Sequence, residues 1–522
     1  MGEARFSRRY FFYGSLLAGA VPRGGFGSVP SLGALGYKSF NDKLNIAVVG
    51  CGIRAPQILT GITPTENVVA LCDVHEEKAA RTYQAFPNVK KYVDYRKMLD
   101  AEGSNIDGVM IATPDHTHTP IALACMQRGK HVYCEKPLTR TVWEARLLAD
   151  AAVKYKVATQ MGNQGWSHEG TRTACEILWS GDIGEVREVR AWTGVIYGGQ
   201  PNIPASGPET QPVPKGVDWD LWIGPAPMRG FNPVMVNQWR AFRDYSTGGS
   251  LGDWLVHNLG PAHLALQLGK VSPTSVECVA VEEKTELLWP LRAHLVFEFP
   301  ARGSMPPVTI HAFQNMTDEV KIEGVKEGEQ LLPPMNNLAE KGRPFYCTGD
   351  GLYLIGDQLG IDGLPPSRGG ARAQGGPPPR RAGEGGPPRD AAMAKMMANR
   401  ARIPGNGAIF FGSKGYMATS ARGEGTWLLP ASRWKEYRLP PQVLQRGINH
   451  MQDWVRACKG GAPGVSEFGI ATRYIEWLAL GAIALQVPGK LLWDGPRMRF
   501  TNSAEANKLL RPYLRKGWEL KL

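Results

Sequence analysis

Two short motifs, far apart in the chain, carry side chains that can move protons. In "GGSLGDWLVHN" (248–258), Asp253 and His257 are four residues apart, so both project from one face if the segment is helical. A carboxylate one turn from an imidazole can orient the ring and raise its basicity, as acid–base chemistry on a hydroxyl requires. In "CEKPL" (134–138), Lys136 supplies an ammonium group. These three side chains are therefore candidates for proton transfer.

Each of these motifs also has a structural interpretation. Most lysines lie on the surface, and an Asp-x-x-x-His pair is more often structural than catalytic, although it can contribute to a metal site. No third ligand follows at a recognisable spacing, the chain has no CxxC pair, and no His/Cys cluster has zinc-ligand spacing. We therefore expect no metal, and we expect the eight cysteines to be buried free thiols.

A glycine-containing turn at 50–55, "GCGIRA", predicts a dinucleotide site. It follows the apolar run "LNIAVV" and precedes a helical segment, whose N-terminal N–H groups attract phosphate. Gly50 permits the tight turn, and Gly52 lets the backbone approach a pyrophosphate. Asp73, at the end of the next strand, would bind a ribose diol and repel a 2′-phosphate, so we expect NAD rather than NADP. A purely structural glycine turn is the alternative.

Two further strand ends, in "ATPDHTH" (112–118) and "CEKPL", each carry an X-Pro pair that makes the chain leave the strand extended. In a doubly wound sheet, ligands bind at the carboxyl ends of the strands. These ends would therefore face the cofactor, with Lys136 at the nicotinamide end of the crevice. The predicted cofactor-binding residues are Gly50, Gly52, Ile53, Arg54, Asp73, Thr113, Pro114, His116, His118, Glu135, Lys136 and Gln164.

The order of apolar runs along the chain predicts an α/β fold class. From Leu44, short apolar strands alternate with helical segments, which indicates a doubly wound parallel sheet, a Rossmann domain over residues 44–164. Strand-like runs such as "SVECVAVEE" and "AHLVFEFPA" then follow with few helices between them. We therefore predict an α+β domain with a large, mostly antiparallel open sheet over residues 165–522. The Pro/Gly-rich stretch 363–402 is predicted to be a disordered insert.

Charge and composition restrict the partners. The chain of 522 residues has a formal net charge of +12, of which residues 1–38 carry +4 and residues 362–402 carry +5. The remainder is close to neutral, so we expect no nucleic-acid-binding face. We also expect no membrane span, because the apolar run Tyr10–Val21 is shorter than the roughly 20 residues needed to cross a bilayer.

The N-terminal segment 1–43 is similar to an export signal followed by a linker. "SRRYFF" places two arginines and bulky hydrophobic residues ahead of an apolar run, as twin-arginine signals do, although no clear A-x-A cleavage site follows. The alternative is an N-terminal arm with an incidental arginine pair. We expect a periplasmic protein if the signal works and a cytoplasmic protein if it does not.

Taken together, the motifs resemble the Gfo/Idh/MocA oxidoreductase family. The resemblance rests on "GCGIRA", Asp73, "ATPDHTH", "CEKPL" and "GGSLGDWLVH", with "DWDLWIGPAP" and "WRAFRDY" further along the chain. It implies a Rossmann domain, a second domain whose open sheet forms a homo-oligomer interface (dimer or tetramer), and hydride transfer at a carbinol carbon of a sugar or cyclitol. Leu255 departs from many family members, which have glycine there, so the identity of the substrate is not carried over.

The resemblance also implies roles for individual residues. Lys136 would bind the substrate hydroxyl and assist proton transfer, while Asp253 and His257 would form the acid–base pair. Polar groups after the last strand of the first domain would hydrogen-bond sugar hydroxyls, and three aromatic side chains would lie against a pyranose ring, although such aromatics are more often core residues. The predicted substrate-binding residues are Lys136, Asn163, Trp166, His168, Tyr197, Trp239, Asp253 and His257.

Three functions remain open from the sequence. The first is an NAD-dependent oxidoreductase acting on a sugar, glycoside or cyclitol. The second is an NAD-dependent glycoside hydrolase that oxidises C3 transiently, eliminates the aglycone and reduces C3 again. The third is a non-catalytic sugar-binding protein, against which the presence of Lys136, Asp253 and His257 argues. Export would favour redox-neutral chemistry with a tightly held cofactor, because no NAD pool exists outside the cytoplasm.

Overall fold

The computed structural model describes residues 42–343 and 405–522, except for residues 196, 199–202, 317–319, 327, 336 and 448. The predicted signal and the predicted insert 363–402 lie outside the described residues. Within the described part of the chain, no helix is both long enough and apolar enough to span a bilayer.

The first sheet contains six parallel strands. Their bounds are β1 Asn45–Val49, β2 Asn67–Cys72, β3 Lys90–Tyr92, β4 Gly108–Ile111, β5 His131–Glu135 and β6 Thr159–Gly162. The helices that follow the first five strands include α1 Arg54–Leu59, α2 Glu76–Ala85, α3 Tyr95–Glu102, α4 His118–Gln127 and α5 Val142–Tyr155. The strand order is β3-β2-β1-β4-β5-β6. This order confirms the predicted doubly wound sheet, and its reversal between β1 and β4 marks the crevice in which such sheets bind ligands.

Local sequence explains where these elements begin. The β1 run "NIAVV" is apolar and almost wholly buried, as expected for a strand covered on both faces. Helix α5 begins after Thr141, whose hydroxyl accepts from the Glu144 N–H at 3.3 Å, while the Glu144 carboxylate accepts from the Thr141 N–H at 3.0 Å. This reciprocal capping satisfies two backbone donors that the helix leaves open.

The second sheet contains nine strands. Their bounds are β7 Val186–Thr193, β8 Ser275–Glu282, β9 Arg292–Phe299, β10 Val308–Gln314, β11 Gly407–Gly412, β12 Gly415–Ser420, β13 Thr426–Leu429, β14 Leu491–Asp494 and β15 Arg499–Phe500. Their order is β13-β12-β11-β7-β10-β9-β8-β14-β15, and of the paired strands only β7 and β10 run parallel. The mostly antiparallel second sheet is therefore confirmed, while the oligomer expected to form through it stays a prediction.

Helices around the second sheet connect it to the first. They are α6 Glu169–Ser180, α7 Trp219–Ile223, α8 Pro233–Asn237, α9 Val256–Asn258, α10 Gly260–Ala265, α11 Ala431–Glu436, α12 His450–Cys458, α13 Phe468–Ala484 and α14 Ala504–Lys508. Helix α13 packs against both α5 and β8, and Arg146 on α5 forms a two-point ion pair with Glu476 on α13, with N–O distances of 3.0 and 2.8 Å. The crevice between the sheets is therefore held by elements that contact both.

The cysteines match the sequence expectation where the structure describes them. All seven described cysteines are free thiols, and all but Cys278 are buried. Cys347 lies outside the described residues.

Candidate active site

The turn after β1 has two glycines with different surroundings. Gly50 has φ +87°, and a Cβ added there would lie 2.6 Å from the backbone carbonyl of Ala112, at the end of β4. Only glycine fits this close approach. A Cβ added at Gly52 would meet no atom within 4 Å. The protein itself does not fill the space above Gly52, as expected where a pyrophosphate approaches the backbone.

Asp73, after the end of β2, is hydrogen-bonded to this turn. Its carboxylate accepts hydrogen bonds from the Cys51 N–H at 2.7 Å and from the His75 N–H at 2.8 Å. Burial raises the pKa of Asp73 to about 6, and the backbone donors only partly oppose that shift. The carboxylate therefore lies beside the glycine turn, where a bound ribose is expected.

Glu135 connects three of the predicted cofactor-binding positions. Its Oε1 accepts from Arg54 Nε at 3.0 Å and from Gln164 Nε2 at 3.0 Å. A Cβ at Gly162 would lie 2.7 Å from the Glu135 carboxyl carbon, so the end of β6 must approach this side chain closely. Arg54, Glu135 and Gln164 thus join α1, β5 and the segment after β6, whereas the side chain of Ile53 is exposed.

The histidines of "ATPDHTH" do not reach the crevice. His116 is fully buried, its Nε2 donates to the Trp222 carbonyl at 2.8 Å, and its ring packs against Tyr245. The ring nitrogens of His118 lie 2.8 Å from the Pro137 carbonyl oxygen and 2.9 Å from that of Thr113. This placement does not support their prediction as cofactor ligands, because His116 contacts the second domain and His118 joins two strand-end loops.

The other strand-end positions of that loop remain at the crevice. Thr113 and Pro114 are half-buried directly after β4. Thr117 Oγ1 donates to the Pro114 carbonyl at 2.9 Å and lies 2.8 Å from the Thr113 hydroxyl, which can donate to it. The loop is therefore held by its own hydroxyl groups.

Lys136 and Asp253 form an ion pair across the crevice. Lys136 Nζ donates to Asp253 Oδ1 at 2.6 Å and to the Asp253 backbone carbonyl at 2.8 Å. Arg240 Nε donates to the same Oδ1 at 2.7 Å. Burial alone would raise the pKa of Asp253, but Arg240 and Lys136 outweigh it and hold that pKa well below its usual range. Asp253 is therefore ionised and holds two cations in place.

His257 is oriented by an amide. Its Nδ1 lies 2.7 Å from Asn163 Oδ1, and Asn163 Nδ2 donates to the Val256 carbonyl at 3.1 Å. The amide orientation assigned in this way makes Oδ1 the acceptor, so Nδ1 carries the proton and Nε2 keeps its lone pair. Burial, reinforced by the charge of Lys136, holds the pKa of His257 well below its usual value. The ring is a neutral imidazole with a free acceptor.

Asp253 does not orient His257 as the sequence predicts. Residues Leu251–Leu255 form a π-helix, in which the Val256 N–H donates to the Leu251 carbonyl. The Asp253 carboxylate binds Lys136 and Arg240, and Nδ1 of His257 pairs with Asn163 instead. The predicted Asp253–His257 pair is therefore corrected to two separate pairs, Lys136–Asp253 and Asn163–His257.

Two predicted substrate contacts lie in the protein interior. Trp166 is 1% exposed and stacks on His263 at a ring distance of 5.5 Å. His168 is also 1% exposed and lies 3.9 Å from Glu424. This placement does not support either as a substrate contact, because the segment after β6 turns into the core before α6 begins.

Two charged residues of the site were not predicted from the sequence. Arg240, in "WRAFRDY", has its guanidinium carbon 4.2 Å from the ring centroid of Trp239 and 5.5 Å from that of Tyr197. Asp115, in "ATPDHTH", accepts from the Thr247 N–H at 3.2 Å, and burial raises its pKa to about 7 against the attraction of Arg240 and Lys136. Both lie in motifs that are notable for other residues. Their spacing along the chain does not identify them as residues of the site.

Matches to known families agree with this architecture. Residues 44–163 match the family model described as "Oxidoreductase family, NAD-binding Rossmann fold", and residues 196–296 match "Oxidoreductase family, C-terminal alpha/beta domain" of the same family. Over these two ranges the chain is similar to the Gfo/Idh/MocA oxidoreductase family, with the NAD-binding domain before the C-terminal domain.

Similar curated proteins match only part of this chain. Inositol 2-dehydrogenase of Klebsiella pneumoniae is 32% identical over 151 residues, which is 27% of this chain and 43% of that protein. Levoglucosan dehydrogenase of Pseudarthrobacter phenanthrenivorans is 30% identical over 143 residues, 27% of this chain and 36% of that protein. The matched stretch spans less than half of either relative.

Solved structures of similar fold cover more of the chain at lower identity. GenD2 from gentamicin A biosynthesis, in complex with NAD, has a TM-score of 0.50 at 15% identity and covers 90% of this chain and 100% of its own. An inositol dehydrogenase homolog of Azotobacter vinelandii, complexed with NADH and myo-inositol, has a TM-score of 0.50 at 15% identity, covering 88% and 100%. These likenesses show the fold.

The residues of the crevice fit NAD. The open space over Gly52 suits a pyrophosphate, and the helix α1 that follows it begins without a side-chain cap. Asp73 offers a carboxylate for ribose hydroxyls and would repel a 2′-phosphate.

Proposed function

We propose that this protein is an NAD-dependent oxidoreductase that acts on a carbinol carbon of a sugar, glycoside or cyclitol. The observation that carries the proposal is the joint placement of Lys136, bound to Asp253, and of His257, oriented by Asn163, beside the strand ends of the Rossmann sheet. Two similar proteins, an inositol 2-dehydrogenase and a levoglucosan dehydrogenase, support the substrate class.

The proposed mechanism divides the work between two side chains. The neutral His257 takes the hydroxyl proton at Nε2, the nitrogen that Asn163 leaves with a lone pair. Lys136 donates a hydrogen bond to the same hydroxyl oxygen and stabilises the negative charge that develops there. Asp253 keeps the Lys136 ammonium in position. The bound dinucleotide, held over Gly52 and at Asp73, supplies the hydride acceptor.

We further propose that the protein is exported and that its overall reaction is redox-neutral, with a tightly held cofactor. The support is the "SRRYFF" motif ahead of an apolar run, because an exported protein cannot exchange NAD with a cytoplasmic pool. A sugar-to-sugar oxidoreductase meets this condition. An NAD-dependent glycoside hydrolase also meets it, and it would use the same Lys136, Asp253 and His257.

The proposed activity is tested with the protein as purified from the periplasm. We expect bound NAD in the denatured supernatant and a change in cofactor absorbance when a sugar, glycoside or cyclitol from a panel is added. Release of aglycone without net cofactor reduction would identify the hydrolase. Lys136→Met and His257→Asn are expected to lower turnover by about 10²- to 10⁴-fold, the usual contribution of acid–base groups. Undiminished turnover in both variants, with full-length folded protein, would refute the site.

A further inference from the structure

Arg240 is fixed at the candidate active site with part of its guanidinium unused. Its Nε donates to Asp253, and the rings of Trp239 and Tyr197 lie 4.2 and 5.5 Å from the guanidinium carbon. These contacts determine the plane of the group. Its two terminal nitrogens have no hydrogen-bond partner among the residues that the structure describes, and 36% of the side chain is exposed.

The charges around Arg240 do not cancel. Lys136 and Arg240 are both cations, and both bind the same oxygen of Asp253. The second carboxyl group in the cluster belongs to Asp115, whose pKa is raised to about 7 by burial, so it is in part protonated at neutral pH. The cluster therefore has an excess of positive charge that a neutral ligand would leave uncompensated.

A guanidinium with adjacent free N–H groups matches one ligand chemistry especially well. Its planar fork donates two parallel hydrogen bonds to a carboxylate, and such charge-assisted pairs are stronger than bonds to a neutral hydroxyl. We propose, building on the oxidoreductase function above, that Arg240 binds a carboxylate of the substrate. The substrate is then an acidic sugar, such as a uronic acid or its glycoside, rather than a neutral hexose or cyclitol.

Arg243 provides a matched control for this role. It lies three residues further along the same segment and carries the same charge. Its Nε donates to the Leu288 carbonyl at 3.2 Å, and its guanidinium carbon lies 5.8 Å from the ring centroid of Trp289. Arg243 therefore contacts Leu288 and Trp289 rather than Asp253, and its removal changes the charge without removing the free guanidinium N–H groups at the site.

The inference is tested by calorimetric titration of the purified protein, with the cofactor that it carries. The probes are two matched pairs, glucuronate with glucose and galacturonate with galactose. We expect the wild type to bind a uronate about 10- to 100-fold more tightly than its matched hexose, with the preference weakened by added salt. Arg240→Gln abolishes the preference, Arg240→Lys keeps part of it, and Arg243→Gln leaves it unchanged.

Binding and cofactor reduction are measured separately, so that the two proposals fail in different ways. Uronate binding that depends on Arg240, without reduction of the cofactor by any sugar, supports the carboxylate site and contradicts the oxidoreductase function. No binding of either uronate overturns the inference. Equal affinity for uronate and hexose in the wild type also overturns it, as does an equal loss of affinity for both in Arg240→Gln.

Discussion

The side-chain oxygen of Asn163 accepts a hydrogen bond from Nδ1 of His257 at 2.7 Å, and this contact determines which imidazole nitrogen can take a proton. The amide is itself held by the Val256 carbonyl at 3.1 Å. Asn163 thus takes the orienting role that the sequence assigns to Asp253. Asp253 is consequently free to hold Lys136 and Arg240.

Replacing Asn163 is expected to affect turnover more than substrate binding. In Asn163→Leu, Nδ1 of His257 loses its acceptor and the productive tautomer is no longer selected, so kcat should fall by about 10²-fold with a smaller change in KM. In Asn163→Asp, a carboxylate retains the acceptor and raises the pKa of His257, so activity should be partly restored. The acidic limb of its pH–rate profile should move to higher pH, because the base must be neutral to act.

Steady-state kinetics across pH distinguish this role from a merely structural one. The control is the thermal stability of both variants, which shows whether the loss of activity follows unfolding. Equal activities and identical pH profiles for Asn163→Leu and Asn163→Asp would contradict the assigned role.

Alanine at Gly50 and at Gly52 should have opposite consequences. Gly50→Ala forces a Cβ within 2.6 Å of Ala112 and a left-handed backbone on a non-glycine residue, so it should cost at least about 1–2 kcal/mol of unfolding free energy. Gly52→Ala meets no atom of the protein within 4 Å, so stability without cofactor should stay within about 0.5 kcal/mol. Its added methyl group occupies the space for pyrophosphate, so NAD affinity should fall roughly tenfold or more.

Denaturant unfolding and NAD titration of the cofactor-free variants check this pair. A Gly52→Ala protein that is destabilised as much as Gly50→Ala would show that the second glycine is structural. Unchanged NAD affinity in a stable Gly52→Ala protein would show that the pyrophosphate does not bind at this turn.

The periodicity of the chain predicted the architecture well but not the pairing within the site. Alternating apolar runs and the glycine turn report burial and backbone geometry, which local sequence largely determines. The partners of Asp253 and His257 are set by residues distant in the chain, Lys136 for the carboxylate and Asn163 for the imidazole. The Asp-x-x-x-His spacing alone could not predict these partners.

The burial of polar and aromatic side chains was the second property that the sequence did not predict. His116 and Trp166 lie in motifs that end strands at the crevice, so both were expected to face ligands. In the structure, His116 is covered by Trp222 and Tyr245, and Trp166 by His263. These partners lie far along the chain in the second domain, and a single sequence does not reveal which distant segment will cover a loop.

NAD affinity is expected to depend on pH through Asp73. Burial raises the pKa of Asp73 to about 6, and only the ionised carboxylate can accept hydrogen bonds from both ribose hydroxyls. Affinity should therefore fall as pH is lowered through about 6. Asp73→Asn should weaken NAD binding at neutral pH, remove this pH dependence and reduce the preference for NAD over NADP.

Titration of the cofactor-free protein with both dinucleotides across pH measures these effects. Glu77→Gln, which changes an exposed carboxylate on α2, is the matched control and should retain the wild-type profile. If Asp73→Asn kept the wild-type pH profile and cofactor preference, a group other than Asp73 would bind the ribose.

Removing the Asp253 carboxylate should destabilise the fold more than removing one of its cations. Lys136 and Arg240 both bind Oδ1, at 2.6 and 2.7 Å, so Asp253→Asn leaves two cations facing each other. We expect a loss of about 2–3 kcal/mol, below the usual 3–5 kcal/mol for breaking a buried pair because Arg240 is partly exposed. Lys136→Met should cost less, since Asp253 keeps Arg240 as its partner.

The stability difference between wild type and Asp253→Asn should also depend on pH. Because the cations lower the folded-state pKa of Asp253 below its unfolded value, the contribution is complete above pH of about 4 and is lost as pH falls further. Unfolding curves at neutral and acidic pH measure it, and adding Arg240→Gln to Asp253→Asn should recover part of the loss. If the difference persisted unchanged at acidic pH, or if the second substitution added a further full loss, the ion pairs would not be the source of the stability.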